Sequence, residues 1–428
     1  MTDNQKSDNY KWVALALLTV GYFMQQGTRQ IYNSVLSQMK GEFTTISDGQ
    51  WGTIASVFFG VYGVCVLFAG VLGDLFSRKK VILVSVAMFS AAILTVGFAR
   101  QSEWCSLVAY LIVVYSVVFA VGQCLYPSSA NSILSQLHDK TRSMAMSIMQ
   151  SALYVAVVAV SLTSGWLGGL GKGAWRYPFW VFGGFGLVFL VVLAVSLRDT
   201  KPLPAPTGTV DKPSMKEAFA AFAVKPSAWL LMLAFGFQVF TNCGFTTWTP
   251  VYIEETYLKN SGMSDSAVGF WKMFHSVIWH YAGCIIGITI ASRMSDKLAA
   301  VNRKARMATN FVGLLAGAPC IYLAYQANSI TFCALGLFLF GLAHGIYDSN
   351  MFASLYDVIK PRYRGSSTGI MCCGAFLVGM VAPALLGMLK DSGVSYKAGL
   401  SGLSLAYFSG ALVILFTMSL FLKRDYEK

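Results

Sequence analysis

Apolar residues run along the chain in blocks of roughly twenty, separated by short polar stretches. The blocks fall at about 12–33, 51–73, 80–99, 104–134, 143–169, 176–197, 227–250, 266–291, 307–326, 329–357, 365–389 and 397–422. About twenty apolar residues in a helix cover a hydrocarbon core of ~30 Å. A segment in lipid must satisfy its own backbone hydrogen bonds, and blocks of this length without strict alternation select helices over barrel strands. The pattern predicts an all-α membrane protein with twelve transmembrane helices.

The longest polar stretch, Arg198 to Lys225, lies between the sixth and seventh blocks and holds Pro202, Pro204, Pro206 and Pro213. It predicts a linker with one short amphipathic helix near Ser214 to Ala223. The chain is thereby divided into an N-terminal six-helix bundle over 1–198, a cytoplasmic linker over 199–225 and a C-terminal six-helix bundle over 226–428. Twelve spans put both termini on one side. With the termini inside, the inner segments carry 23 Lys and Arg and the outer loops 7, leaving Arg29 and Lys272 within or at the edge of helices. Positive charge collects on the cytoplasmic side, so both termini are expected there, in a multi-pass inner or plasma membrane protein.

Composition sharpens this picture. Of 428 residues 56% are hydrophobic and 12% charged, against about 25% charged in a soluble domain. The net charge of +13 raises nucleic acid as a partner. The basic residues flank apolar blocks instead of forming a surface interleaved with exposed aromatics, so none is expected. Most of the nine cysteines, including Cys65, Cys124, Cys284, Cys372 and Cys373, fall inside apolar blocks with no CxxC pair. They read as small core residues and not as a disulfide framework or metal site. The first block lacks an A-x-A-like end and reads as a retained helix. No cofactor is implied, and the protein is expected to be a monomer.

The two halves echo one another. Gly70-Val-Leu-Gly-Asp74 with Arg78-Lys79-Lys80 follows the second block, and Ser292-Arg-Met-Ser-Asp296-Lys297 with Arg303-Lys304 follows the eighth. Asp139-Lys-Thr-Arg142 follows the fourth block and Pro361-Arg-Tyr-Arg364-Gly365 the tenth. Repeated halves mark transporters whose site lies between two bundles near the midplane. At Gly70, Leu72, Asp74, Ser77, Arg78 and Lys79 the chain resembles the major facilitator superfamily, whose loop signature is broadly G-x-L-x-D-x-x-G-[RK]-[RK]; Ser77 stands in the second glycine's place. Tyr22 to Tyr32, reading YFMQQGTRQIY, resembles the first helix of the anion:cation symporters, where an Arg usually preceded by Asp sits among aromatics. Thr28 replaces that Asp, and Gln123 and Tyr126 stand where the fourth helix commonly carries an acid for proton coupling. The same Arg also resembles that of the organophosphate:phosphate antiporters.

A charge at mid-bilayer costs at least about 2.5–3.5 kcal/mol, so a retained one faces a cavity or a partner. Arg29 is such a charge. Residues three or four apart share a helix face, so Tyr22, Gln25, Gln26, Arg29 and Tyr32 form one polar aromatic stripe. The Arg fork suits a carboxylate or phosphate, while the simpler alternative is snorkelling to the outer interface. Lys272, His275 and Trp279 share a face of the eighth helix, and Lys272 either shares an anion with Arg29 or snorkels. His275 and His280 have no Cys or carboxylate nearby to complete a metal set. In the tenth helix Asp348 is the only carboxylate well inside an apolar block, with His344 and Tyr347 beside it. It requires an ion pair or protonation, and the latter is what proton coupling uses. Gln123, Tyr126, Gln150, Tyr154, Gln238 and Asn242 are polar residues that suit hydroxyl-rich ligands or helix packing. Asp74, Arg78, Arg142, Asp296 and Arg364 sit at inner helix ends, where pairing can latch one conformation or simply set topology.

These readings converge on a secondary active transporter working by alternating access. The expected activity is symport of protons, or sodium, with a small organic anion such as a hexuronate, aldonate or sialic acid. A sugar-phosphate/phosphate antiporter is the alternative. No nucleophile, base or metal constellation of an enzyme is present in the pattern, and duplicated halves with inner gating motifs speak against an open channel.

Overall fold

A computed structural model describes residues 3–101, 106–138, 141–199, 215–299 and 301–427, without the side chains of residues 3–9, 70–75, 143 and 296. Twelve long helices follow in order: α1 (Asp3–Glu42), α2 (Asp48–Leu75), α3 (Arg78–Val96), α4 (Leu107–Leu137), α5 (Arg142–Gly168), α6 (Arg176–Ser196), α7 (Pro226–Leu258), α8 (Asp265–Ala299), α9 (Ala305–Gln326), α10 (Ile330–Tyr356), α11 (Pro361–Asp391) and α12 (Tyr396–Asp425). No strand occurs among the described residues. Among the described residues eleven helices are long and apolar enough to cross a membrane. The remaining one is α1, whose Gln25, Gln26, Thr28, Arg29 and Gln30 dilute its hydropathy at mid-length. The expected linker helix is present at Met215–Ala223, and most of the remaining linker lies outside the described residues.

Apolar side chains are turned outward along these helices as well as inward. On α6, Val188, Val191 and Val195 are 66%, 63% and 82% exposed. In water such a stripe would be a liability; in lipid, tails as apolar as the valines meet it at no cost.

The chain packs into two compact units. The first comprises the described residues within 1–45, 68–209 and 263–273, the second those within 46–67, 210–262 and 274–428. These are not the two sequence halves, because the start of α8 packs with α5 and the start of α2 with α11. In the first unit, a Cβ on Gly165 would lie 2.2 Å from the Gly269 carbonyl oxygen, and one on Gly269 would lie 2.0 Å from that of Gly165. Only hydrogen at both positions lets the two backbones touch. In the second unit, Asp391 at the end of α11 accepts from the Asp48 and Gly49 amides at 2.9 and 2.8 Å, placing a carboxylate on the N-terminus of α2, where the helix dipole favours it.

Ionic ties fix several loop ends. Glu42 accepts two bonds from Arg176, at 2.7 and 3.0 Å, and one from the Trp175 indole at 2.7 Å. The Arg176 bonds hold its carboxyl below the usual range, with burial opposing and Trp175 assisting. Arg306 donates to Asp357 at 2.6 Å; burial nevertheless raises the Asp357 carboxyl above its usual range, against the guanidinium's pull. Asp425, 3% exposed, accepts from the Ser227 amide at 2.9 Å and so satisfies one of the open donors at the start of α7.

Candidate functional site

The polar residues singled out by sequence gather in two clusters, one in each unit. In the first, α1 and α4 are joined by side chains from mid-length. Thr28 Oγ1 donates to the Met24 carbonyl at 2.8 Å and accepts from Gln123 Nε2 at 3.1 Å. Gln25 Nε2 donates to the Gln123 carbonyl at 3.1 Å, and the Tyr126 hydroxyl donates to the Leu18 carbonyl at 2.8 Å. That last contact needs a glycine at 21, where a Cβ would fall 2.1 Å from the Tyr126 hydroxyl oxygen. Gln25, Gln123 and Tyr126 are all fully buried. They serve the α1–α4 junction, and substrate contact with them requires these bonds to be exchanged. The Oε1 atoms of both glutamines keep no hydrogen-bond partner among the described residues.

Arg29 and Gln26 are half-buried on the same helix, and Tyr32 is wholly buried. Tyr32 stacks on Tyr115 with ring centroids 4.7 Å apart and planes at 21°, and Tyr115 stacks in turn on Phe119 at 5.3 Å. The Arg29 charge acts on the Tyr115 phenol. Tyr115 belongs to a π-helical stretch of α4, Ile112–Phe119. Such wide turns are rare and collect at functional sites, because the extra residue re-aims the side chains around it. No sequence signal marks this stretch, so Tyr115 escapes a reading based on polarity and spacing.

Lys272 also belongs to the first unit, fully buried, with Nζ donating to Gln38 Oε1 at 2.9 Å. Gln38 lies nine residues beyond Arg29, about 13 Å along the helix axis at 1.5 Å per residue. Lys272 is therefore anchored away from Arg29 and not beside it.

The second cluster lies where α7, α8, α10 and α12 meet. His344, on α10, faces the Asp348 carboxylate through Nε2 at 3.3 Å. The same nitrogen meets the Gln238 side-chain amide from α7. His344 Nδ1 lies 3.1 Å from Nε2 of His280 on α8. His280 is 1% and His344 6% exposed, while the Asp348 side chain is 33% exposed. The Phe245 and Phe340 rings cover His280 at 4.6 and 4.8 Å. Tyr347 and Tyr407 are buried beside Asp348. The helices approach closely enough for this because α10 presents glycines to α8: a Cβ on Gly341 would lie 2.0 Å from the His280 carbonyl oxygen, and one on Gly345 2.1 Å from that of Cys284. His280 was visible in the sequence as a histidine in an apolar block, but its partner is 64 residues away, beyond the reach of any spacing rule. His275 is half-buried and accepts from the Trp279 indole at 3.3 Å. Among the described residues no group of three metal-ligating side chains gathers.

Of the loop residues expected to latch a conformation, Arg142 is exposed and Arg364 donates to the Tyr356 carbonyl at 3.0 Å. Arg78 opens α3, where Ser77 caps the helix through the Lys80 amide and donates to Asp199 at 2.7 Å, and Lys79 donates to the Ala194 carbonyl at 2.7 Å. The side chains of Asp74 and Asp296 lie outside the described residues. Arg306 and Asp357 form an ion pair that the sequence reading overlooked, since an Arg and an Asp 51 residues apart carry no shared motif.

With this geometry in hand, comparisons place the chain. The sequence pattern of the Major Facilitator Superfamily matches residues 18–383. The cis,cis-muconate transport protein of Acinetobacter baylyi is 25% identical over 95% of both chains. A probable sulfoacetate transporter of Cupriavidus necator is 24% identical over 89% of this chain and 88% of its own. Among solved structures, a bacterial homolog of the human lysosomal transporter Spinster superposes with a TM-score of 0.79 at 19% identity, covering 98% of this chain and 99% of that one. A family match over most of the length, carried by the same helical architecture, means that this chain belongs to the Major Facilitator Superfamily.

Proposed function

We propose that this transporter, which is a multi-pass membrane protein and not an enzyme, couples inward proton movement to uptake of a small carboxylate-bearing organic anion by alternating access. The observation that carries the proposal is Arg29, a half-buried guanidinium at mid-length of α1, banked by the Tyr32–Tyr115 stack. A cation retained at that depth is costly unless it meets an anion, and its planar fork fits a carboxylate through two parallel hydrogen bonds. Two relatives are named for their solutes, one as a transport protein for cis,cis-muconate, a dicarboxylate, and one as a probable transporter of sulfoacetate, also a double acid. Sugar acids such as hexuronates, aldonates and sialic acid remain within the same chemistry, with the buried amide oxygens of Gln25 and Gln123 as acceptors for hydroxyls. Phosphate exchange is less well supported, because Lys272 is held by Gln38 about two and a half turns from Arg29.

Coupling is assigned to the second cluster by elimination and by geometry. Where the resembling symporters carry acids in the first and fourth helices, this chain has Thr28 and Gln123 bonded to one another. Asp348, paired with His344, is the intramembrane carboxylate that can take up a proton. We place the protein in the cell membrane with both termini cytoplasmic, on the distribution of Lys and Arg.

The test is uptake by purified protein in liposomes under an inward proton gradient, using cis,cis-muconate, sulfoacetate, glucuronate, gluconate and sialate beside neutral xylose and glucose 6-phosphate. Accumulation of one or more carboxylates and not of xylose is expected. Equal uptake of the neutral sugar would move the site away from Arg29; uptake of glucose 6-phosphate exchanging against phosphate without protons would replace the proposal by the antiport alternative.

A further inference from the structure

We infer that His280, His344 and Asp348 form a three-membered relay that shares a single proton, with His280 Nδ1 and the Asp348 carboxylate as its two ends. The inference rests on the proton-coupling assignment and extends it to a residue on a different helix, α8. His344 contacts Asp348 and Gln238 through Nε2 and His280 through Nδ1, so both its nitrogens are committed. A bond between two imidazole nitrogens 3.1 Å apart needs one hydrogen, not two and not none. The hydrogen positions on the two rings are therefore linked.

Beside an ionised Asp348, His344 Nε2 carries a hydrogen directed at the carboxylate; the Gln238 amide, whose nitrogen is placed against the same ring nitrogen, then takes the half-turned orientation that presents its oxygen. In the empty state His344 Nδ1 is bare and accepts from His280 Nε2–H, and His280 Nδ1 is bare as well. A proton arriving from water at His280 Nδ1 forms an N–H bond there, and the Nε2 hydrogen of His280 crosses to His344 Nδ1. His344 is now an imidazolium against the Asp348 carboxylate. The cluster gains one proton and passes from net negative to net neutral, which low-dielectric surroundings favour. Release reverses these steps: the His344 Nδ1 hydrogen returns to His280 Nε2 as the His280 Nδ1 proton leaves to water, which restores the starting hydrogens and leaves Asp348 ionised. Each step moves one proton and leaves the count of N–H and O–H bonds balanced.

Two features single out His280 as a member and not as packing. Its Nδ1 is a buried nitrogen with no hydrogen-bond partner among the described residues, though buried ring nitrogens are normally satisfied. The Phe245 and Phe340 rings lie against the His280 ring at 4.6 and 4.8 Å and offer Nδ1 no hydrogen-bond acceptor or donor. The other titratable groups facing the cluster are Cys284 on α8, Tyr347 on α10 and Tyr407 on α12. None of these is ordinarily charged near neutral pH, so none neutralises Asp348.

The chain has four histidines, so nitrogen-15 histidine labelling yields a small set of imidazole signals, with His138→Asn and His275→Asn assigning two of them. The signals of His280 and His344 should titrate together with uptake of one proton. Asp348→Asn, which does not touch His280, should shift the hydrogen on the His280 ring, and His344→Gln should abolish that response. Unchanged signals from His138 and His275 report that each variant is folded. Independent titration of the two rings, uptake of two protons, or a His280 spectrum indifferent to Asp348→Asn would overturn the relay. Proton movement accompanying uptake, followed with a pH electrode, separates this from the coupling assignment. If protons move with the solute while the rings titrate independently, the relay alone fails. If the rings respond as described but no proton moves with any solute, the coupling assignment fails.

Discussion

At the scale of single residues, Arg29 is the group on which solute chemistry turns. Lys in its place keeps the charge but offers a point donor where Arg offers a planar fork. Replacing a paired bond by a single one at a charged group forfeits about 1.5–3 kcal/mol, so Arg29→Lys should lower carboxylate uptake by at least about tenfold. The protein should still insert and elute as a folded species, because the neighbouring Thr28–Gln123 and Gln25–Gln123 bonds that join α1 to α4 do not involve Arg29. Labelled uptake alongside size-exclusion chromatography checks this, and near-normal uptake would remove Arg29 from the anion site. Arg29 was legible from sequence because a cation in an apolar block is expensive and hence conspicuous. Tyr115 was not, because an aromatic in an apolar block is the ordinary case and its register depends on a π turn with no side-chain signature.

At the scale of helices, apolar blocks translate into spans almost position for position, since length and hydropathy are local properties. The block expected at 143–169 is a span at Met144–Gly168, and that at 307–326 is one at Ala305–Gln326. What the pattern could not supply is which faces meet. The start of α8, through Lys272, belongs with α5 and α1 through the backbone contact of Gly165 with Gly269 and the Lys272–Gln38 bond, although sequence assigns α8 to the other half of the chain. Glycine in a long apolar block looks like any small residue; only the facing backbone shows why it is needed. Gly165→Val should therefore push α8 off α5 and cost about 1–3 kcal/mol, the usual range for overpacking a tight interface. Thermal unfolding in detergent would show a lowered midpoint, whereas Gly184→Val on α6, where a Cβ meets nothing within 4 Å, should leave it nearly unchanged. An equal loss in both variants would mean that glycine content, and not this contact, matters.

At the scale of the whole molecule, the issue is whether proton movement and solute movement are one process. Exchange of labelled for unlabelled solute needs alternating access but no net proton transfer, whereas uphill accumulation under a pH gradient needs both. Asp348 can be separated from the solute site on this basis, because accumulation requires its charge to change and exchange does not. Asp348→Asn removes the ionisable group but keeps a polar side chain that can still bond to His344. We expect this variant to lose accumulation driven by the pH gradient and to retain counterflow. If it still concentrates solute, the proton is carried elsewhere, and a sodium gradient becomes the next driving force to measure. If counterflow is lost as well, Asp348 acts on structure or on the solute directly, since removing one partner of a half-buried pair leaves the other uncompensated. The unfolding midpoint then decides between those two: a large fall points to structure, and an unchanged midpoint with lost exchange points to solute contact.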